Sequence, residues 1–304
     1  MSYRTNSIRH SSFSILIPQF NQKVKFFGLL CLSITFLLGF ISPAYSGFAS
    51  PQNKTSTEPA GLNNITSTND SKIVLVHGAW SDGSVWSKVI PILKDAGHRV
   101  IAVQMPLHSQ ADDIATVKRA IDHIGGPVTL VGHSYGGIVI TNVAYNNPNV
   151  TGLVYIAAIA PDEGETGNDF FENLPEEYNR TFFESIALDS AGFMYFNPDK
   201  FHESFAQDVN STEADIWATV QKPTNQSLTA EKSGPAAWKQ LPTWYQVSEN
   251  DRLIPPDIQR LYAERMNATT LSLDSSHSSL ISHPDDIAEL ILNATNGSKA
   301  RLEN

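Results

Sequence analysis

Short apolar runs alternate with amphipathic stretches over most of the chain after residue 71. Runs rich in Val, Ile and Leu predict buried strands, while apolar residues that recur every three or four positions predict helices. The predicted strands cover 72–76, 99–103, 128–132, 150–159, 243–248 and 269–273. The predicted helices cover 84–95, 110–124, 135–146, 256–266 and 284–293. Such alternation indicates an α/β fold, with a mostly parallel, doubly wound sheet covered by helices on both faces.

The alternation stops between about residues 161 and 241, where aromatic residues cluster with acidic ones. We interpret this stretch as an insertion into a single domain, because residues 72–295 suit one α/β domain in length. Most of its rings should pack a core within the insertion, and some should line a substrate pocket. The rings are Phe170, Phe171, Tyr178, Phe182, Phe183, Phe193, Tyr195, Phe196, Phe201, Phe205 and Trp217.

The amino-terminal region carries a separate signal. Lys23 and Lys25 precede an almost uninterrupted apolar run over 26–41, and Ala44-Tyr45-Ser46 follows it with small residues around the middle position. A basic flank, an apolar core and a small-x-small site predict a secretory signal peptide over residues 1–46. The apolar run lies between a typical signal core and a full membrane span in length, so an uncleaved anchor is the alternative.

Residues 47–71 are rich in Ser, Thr, Asn, Pro and Gly and show no periodicity, which predicts a flexible linker. The single cysteine, Cys31, lies within the apolar run. A mature chain would therefore have neither disulfides nor thiol chemistry.

Charge and asparagine patterning restrict the partners and support export. A net charge of -10 and an isoelectric point near 5.3 argue against nucleic acid or an anionic membrane as partner. The pattern Asn-x-Ser/Thr is over-represented, since chance predicts about three or four occurrences. The ten sites are Asn53, Asn64, Asn69, Asn149, Asn179, Asn210, Asn225, Asn267, Asn293 and Asn296. They are candidate N-glycosylation sites of an exported protein, or else simply part of a polar surface.

The segment Gly132-His133-Ser134-Tyr135-Gly136 lies between the apolar run 128–131 and the helix-like run 138–145. The pattern G-x-S-x-G between a strand and a helix is typical of a nucleophile elbow, a strained turn that exposes the serine hydroxyl above the sheet. Ser134 is therefore the candidate nucleophile.

A second strand end supplies a candidate oxyanion hole, the pair of donors that binds a developing oxygen anion. The strand over 72–76 leads into His77-Gly78-Ala79-Trp80, where Gly78 permits a close approach of the backbone. Acyl transfer needs two preorganised donors for the negative charge on the substrate oxygen. We expect the backbone N–H groups of Ala79 and Tyr135 to supply them.

A serine nucleophile needs a base, and the base needs a carboxylate that orients it. Asp251 follows the strand over 243–248, and His277 follows the strand over 269–273. The chain order Ser134, Asp251, His277 is the order of a Ser-Asp-His triad in an α/β-hydrolase.

Other acidic and histidine residues near these positions are alternatives. Asp162 and Glu163 follow the strand over 150–159, and Glu249 precedes Asp251, so each is a rival for the acid. Asp274 lies only three residues before His277, and we interpret it as a residue that caps a turn. His77 and His133 flank the site, and we expect them to pack and to form hydrogen bonds rather than act as bases.

From about residue 72 to 293 the chain resembles the compact α/β-hydrolases, both bacterial esterase-like members and the plant branch of methyl-ester esterases and hydroxynitrile lyases. The resemblance rests on four segments: His77-Gly78-Ala79-Trp80, the glycine-rich elbow at 132–137, Asp251-Arg252-Leu253-Ile254-Pro255-Pro256, and Ser276-His277. It implies that the insertion at 161–241 is a cap over the nucleophile.

The function implied is hydrolysis of a small to medium carboxylic ester through an acyl-enzyme, with no metal or organic cofactor. Trp80 and Tyr135 are expected to line the substrate pocket. A lactonase with the same triad and a ligand-binding protein of the same fold with negligible turnover are the alternatives. The resembling lyases have a threonine at the position of Gly78 and a lysine at that of Ser278, so we expect ester hydrolysis rather than cyanohydrin cleavage.

Overall fold

The computed structural model describes residues 71–172 and 174–302, with side chains through residue 298. The predicted signal segment over 1–46 and the linker up to residue 70 lie outside the described residues. Nine strands are found in the described part: β1 Lys72–Val76, β2 Arg99–Ala102, β3 Val128–His133, β4 Val150–Ile156, β5 Ile186–Leu188, β6 Phe193–Phe196, β7 Thr224–Asn225, β8 Thr243–Ser248 and β9 Thr269–Leu273.

The helices alternate with these strands. They are α1 Val89–Asp95, α2 Gln110–Ile124, α3 Gly136–Val143, α4 Gly167–Glu172, α5 Glu176–Glu184, α6 Pro198–Phe205, α7 Ser211–Val220, α8 Pro256–Arg265, α9 Ser279–Ser282 and α10 Pro284–Leu302. Three short 3₁₀ turns at Gly83–Trp86, Gln226–Thr229 and Ala237–Lys239 complete the described elements.

Six of the strands form one parallel sheet in the order β2-β1-β3-β4-β8-β9. Its faces contact two separate clusters of buried side chains. In β1, for example, Val74 and Val76 join one cluster, and Ile73 and Leu75 join the other. Side chains alternate between the faces of a strand, so a sheet buried on both faces needs apolar residues throughout. The predicted doubly wound sheet is therefore confirmed.

The segment between β4 and β8 stays outside this sheet. It contains α4 to α7 and a separate antiparallel sheet in the order β5-β6-β7. Part of the insertion therefore builds its own small sheet, which the sequence analysis did not predict. We call the residues 161–241 the cap.

Four predicted elements have wrong boundaries, one of them the helix predicted over 135–146, which ends at Val143. The helix predicted over 84–95 is a 3₁₀ turn followed by α1, because Pro91 lacks the N–H that would bond the carbonyl of Ser87 in a continuous helix. The strand predicted to residue 159 ends at Ile156, because Ala157 adopts a φ of 42°. The last helix extends to Leu302 rather than ending at 293.

No helix in the described ranges is both long and apolar enough to cross a membrane.

Candidate active site

The site lies at the point where the order in which strands are added to the sheet changes side. From β1 the chain passes to β2 on one side and then to β3 on the other. The loops after β1 and β3 therefore diverge at the carboxyl end of the sheet, where open α/β sheets bind ligands. One loop carries Ala79 and the other carries Ser134.

Ser134 lies in a strained turn between β3 and α3. Its φ is 54°, in the left-handed region that costs an L-residue free energy. A Cβ on Gly132 would lie 2.7 Å from the Gly136 carbonyl oxygen, and a Cβ on Gly136 would lie 2.7 Å from that of Val76. The turn therefore closes only with glycine at both positions. The carbonyl of Ser134 accepts from the N–H of Gly137 at 3.0 Å and from that of Ile159 at 3.2 Å.

His277 and Asp251 form a buried hydrogen-bonded pair. His277 Nδ1 donates to Asp251 Oδ2 at 2.7 Å, and both residues are only 1% exposed. The same carboxylate accepts at Oδ1 from the N–H groups of Leu253 at 2.8 Å and Ile254 at 2.9 Å. Gln259 Nε2 donates to Oδ2 at 2.8 Å. These donors fix the carboxylate, and with the proton on Nδ1 the imidazole has Nε2 available as a base.

Two rings hold His277 from other sides. His133 Nε2 donates to the backbone carbonyl of His277 at 2.9 Å, and the two rings are 4.8 Å apart. Phe205, from the end of α6, stands perpendicular to the His277 ring at 4.9 Å. Burial lowers the pKa of His133 well below its usual value. His133 is therefore a neutral packing and hydrogen-bonding residue, as predicted.

His77 has both ring nitrogens occupied by backbone groups. Nδ1 donates to the Gly78 carbonyl at 2.9 Å, and Nε2 accepts from the N–H of Met105 at 3.0 Å. Burial lowers the pKa of His77 to about 4. The ring therefore stays neutral near pH 7 and supports the loop that follows β1.

The two predicted oxyanion donors lack hydrogen-bond acceptors within the described part of the chain. The backbone N–H groups of Ala79 and Tyr135 make no hydrogen bond there, and both residues line the cavity that also contains Ser134 and His277. By contrast, the N–H of Trp80 donates to Thr224 Oγ1 at 2.9 Å. The backbone N–H of Ala79, rather than that of Trp80, is therefore available to bind a ligand.

The cavity around Ser134 is narrow and mostly apolar, with a volume of about 50 Å³. Its lining combines strand-end residues with residues of the cap and of the loop before α8: Ala79, Trp80, Ser134, Tyr135, Ile159, Phe170, Phe171, Phe182, Met194, Thr224, Leu228, Thr229, Leu253, Ile254 and His277. Both residues predicted for the pocket, Trp80 and Tyr135, belong to it. The Tyr135 hydroxyl, however, turns to Asp113 Oδ2 at 2.9 Å.

The rival acids are occupied elsewhere. Asp162 pairs with Lys239, and Glu249 pairs with Arg260. Glu163 is exposed, and Asp274 accepts from the side-chain amide of Asn250. Among the described residues, Asp251 is the one carboxylate in hydrogen-bond contact with His277. No group of three or more potential metal-ligating side chains occurs in the same ranges.

Sequence reasoning missed three buried polar residues at this site: Asp113, Thr224 and Gln259. Asp113 is an acidic residue in the first turn of a helix, a position where acidic residues are common for reasons unrelated to a site. The one local feature that distinguishes Asp113 is its place on the buried face of the helix, where an acidic residue is unusual. Gln259 lies one helical turn into α8, four residues after Pro255. No local pattern marked Thr224.

Comparison of the sequence with known protein families places it in one of them. A model of the alpha/beta hydrolase family matches residues 73–290. The chain belongs to this family. The resemblance inferred from the four segments is thereby confirmed at the level of the family.

Individual relatives are distant. A carbendazim hydrolyzing esterase of Nocardioides sp. is 35% identical over 39% of this chain, and the match covers 56% of that protein. Methylesterase 1 of Arabidopsis thaliana is 24% identical over 72% of this chain and 94% of its own length. The crystal structure of a pyrethroid hydrolase from Sphingobium faniae JZ-2 is similar with a TM-score of 0.64. At 22% identity it covers 74% of this chain and 97% of its own, which shows the fold alone.

Proposed function

We propose that the protein hydrolyses a small to medium carboxylic ester through a covalent acyl-enzyme. The observation that carries the proposal is one cavity lined by both Ser134 and His277, with His277 Nδ1 2.7 Å from Asp251 Oδ2. A serine, an oriented imidazole and two unused backbone donors are the parts that acyl transfer needs.

In the first half-reaction Ser134 Oγ attacks the acyl carbon while His277 Nε2 takes the hydroxyl proton. The N–H groups of Ala79 and Tyr135 stabilise the negative oxygen of the tetrahedral intermediate. The intermediate collapses as His277 returns the proton to the leaving alcohol. Water then attacks the acyl-enzyme by the same route, and the acid leaves with Ser134 restored. Asp251 keeps the imidazole in the required tautomer throughout.

The names of the relatives support an ester substrate. The Nocardioides protein is called an esterase, and the Arabidopsis protein is called a methylesterase. The apolar cavity suits an uncharged acyl or alcohol group better than a charged one.

The same geometry disfavours cyanohydrin cleavage. A Cβ on residue 78 would lie 2.8 Å from Ser134 Cβ, so the threonine of the resembling lyases does not fit this loop as it stands. Ser278 is buried and donates to the Phe205 carbonyl at 3.0 Å, so no ammonium group follows His277 to stabilise departing cyanide.

A panel of activated esters graded by acyl length, run beside labelling with a fluorophosphonate, tests the proposal. We expect turnover of acetate or butyrate esters and covalent labelling of Ser134. The Ser134→Ala and His277→Ala variants should each lose at least about a thousandfold in kcat. Asp251→Asn should cost about a hundredfold or more, because the imidazole loses its orientation.

Asp162→Asn is the matched control, since it removes a carboxylate after β4 that pairs with Lys239 instead of His277. Its activity should equal that of the unaltered protein. Ester turnover that survives Ser134→Ala would contradict the proposal. Stoichiometric acyl release without a second turnover would indicate a binding protein, and activity confined to cyclic esters would indicate a lactonase. Cyanide release from mandelonitrile that depends on Ser134 would indicate a lyase.

We further propose that the protein is exported, with the segment over 1–46 removed and sugars attached to some of the Asn-x-Ser/Thr sites. None of the seven sites among the described residues is buried, as glycosylation requires. Amino-terminal sequencing of the native protein should give a start near Gly47, and glycosidase treatment should lower its mass. A full-length chain in the membrane fraction would indicate the anchor instead.

A further inference from the structure

Asp113 is a buried carboxylate that the mechanism above does not use. It lies in the first turn of α2 with 0% exposure. Its Oδ2 accepts from the Tyr135 hydroxyl at 2.9 Å, and its Oδ1 accepts from the N–H of Leu107 at 2.9 Å. A buried carboxylate needs such partners, because removing its charge from water is otherwise strongly unfavourable.

Tyr135 connects this carboxylate to the candidate oxyanion hole. It directly follows Ser134, and its backbone N–H is one of the two unused donors at the cavity. The residue is 3% exposed, and its hydroxyl donates to Asp113. Burial and Asp113 raise the pKa of this hydroxyl well above its usual value, so it stays a donor. The residue is therefore held both at its backbone and at the far end of its side chain.

The second donor, the Ala79 N–H, is connected to the loop between β2 and α2, which Asp113 also contacts through Leu107. Leu107 and Met105 belong to the loop between β2 and α2, in which Leu107 has a φ of 59°. The N–H of Met105 donates to His77 Nε2, and His77 Nδ1 donates to the Gly78 carbonyl. The Gly78 carbonyl and the Ala79 N–H belong to one planar peptide group. Fixing the carbonyl therefore fixes the direction of the Ala79 N–H.

The cap also contacts this loop. Lys222 donates to the Met105 carbonyl, and the N–H of Asn225 donates to the Leu107 carbonyl at 3.0 Å. The loop between β2 and α2 is thus held from the cap on one side and by Asp113 on the other.

We propose that Asp113 is a positioning residue that sets the separation and direction of the two oxyanion donors. It does so by holding the Tyr135 hydroxyl and the Leu107 N–H on one carboxylate. The inference rests on the proposed function, because it assumes that Ser134 is the nucleophile and that the Tyr135 N–H binds the oxyanion.

Tyr135→Phe removes only the hydroxyl and leaves the ring and the backbone N–H. We expect kcat to fall about ten- to a hundredfold while KM changes by less than about threefold, because full loss of one oxyanion donor costs about a hundred- to a thousandfold. Asp113→Ala removes the acceptors of both the Tyr135 hydroxyl and the Leu107 N–H, so kcat should fall at least as far as in Tyr135→Phe. In the double variant Tyr135→Phe should add little to the loss from Asp113→Ala, because the hydroxyl has already lost its acceptor.

A trifluoromethyl ketone supplies a readout that a merely structural role would not move. Ser134 Oγ bonds to the carbonyl carbon, the serine proton passes to His277, and the carbonyl electron pair becomes the oxyanion that the two N–H groups bind. In the Tyr135 and Asp113 variants, the inhibition constant of the ketone should therefore rise by the same factor as kcat/KM falls.

Tyr155→Phe is the matched control. Tyr155 is a fully buried tyrosine whose hydroxyl lies 2.8 Å from Thr141 Oγ1, and it does not line the cavity. Tyr155→Phe should lower Tm about as much as Tyr135→Phe does, because each removes one buried hydroxyl. Its kcat and its inhibition constant for the ketone should be unchanged.

Three outcomes separate the ideas. If the unaltered protein hydrolyses esters through Ser134 but Tyr135→Phe and Asp113→Ala match it in kcat and inhibition constant, the inference is wrong and the proposed function stands. A loss in kcat without a parallel loss of ketone binding also overturns the inference. If Ser134→Ala leaves ester turnover intact, the proposed function itself fails.

Discussion

Three histidines converge at the candidate site, and their hydrogen bonds give them different roles. His77 has both nitrogens bound to backbone groups, and His133 donates to the backbone of His277. His277 donates from Nδ1 to a carboxylate and lines the cavity. The environment of each ring, rather than residue type, therefore selects the one that can exchange a proton with a substrate.

The burial of His77 predicts acid sensitivity. Its pKa falls from 6.5 to about 4 on folding, so between these values the unfolded chain binds the proton and the folded chain does not. The free energy of unfolding should therefore fall as the pH drops through this window, by about 2 kcal/mol between pH 7 and pH 5 from this residue alone. Urea unfolding at both pH values measures the change.

The His77→Asn variant is the control for this prediction, because the asparagine amide can still donate to the Gly78 carbonyl but does not titrate. The variant should lose less stability between pH 7 and pH 5 than the unaltered protein, whatever its stability at pH 7. Equal losses in the two proteins would show that His77 does not contribute.

At the residue scale, the candidate triad residues belong to local motifs that a sequence reveals, whereas the residues that support the site through distant contacts do not. Ser134, Asp251 and His277 each follow a recognisable strand, so chain order alone indicated them. Asp113 contacts Tyr135 across 22 positions, and Thr224 contacts Trp80 across 144. No local pattern encodes such pairs.

At the scale of elements, the strands of the main sheet were predicted closely because apolar runs buried on both faces have few alternatives. The strands of the cap were missed. β5, β6 and β7 are only two to four residues long and partly exposed, so they leave no periodic signal. They nevertheless matter, because β6 and β7 hold Trp80 through the Met194 carbonyl and the Thr224 hydroxyl.

The contact between β7 and the loop after β1 can be tested at Thr224. Thr224→Val keeps the shape of the side chain but leaves the Trp80 N–H without its acceptor, which disturbs the neighbouring Ala79 donor. We expect kcat/KM for an activated ester to fall about tenfold. Thr224→Ser, which retains the hydroxyl, should keep most of the activity. Equal losses in both variants would point to packing rather than to the hydrogen bond.

At the scale of the whole molecule, the cap forms hydrogen bonds with the loops that carry the candidate acid, Asp251, and the candidate base, His277. Asp208 accepts from the N–H of Ser276 at 2.9 Å, just before His277. Arg252, next to Asp251, donates to the Glu203 carbonyl at 2.9 Å. These contacts join separate parts of the chain, and the sequence could predict that an insertion exists but not where it docks.

The small cavity has a consequence for substrate affinity. Its volume of about 50 Å³ is well below the roughly 300–1,000 Å³ of pockets that hold ordinary ligands. An ester can therefore bind only to the fraction of molecules in which cap side chains such as Phe171, Phe182 or Met194 have moved aside. The apparent dissociation constant exceeds the intrinsic one by the reciprocal of that fraction. The affinity for any ester thus depends on the free energy of opening as well as on the fit in the open pocket, and preference between two esters changes only where they require different side chains to move.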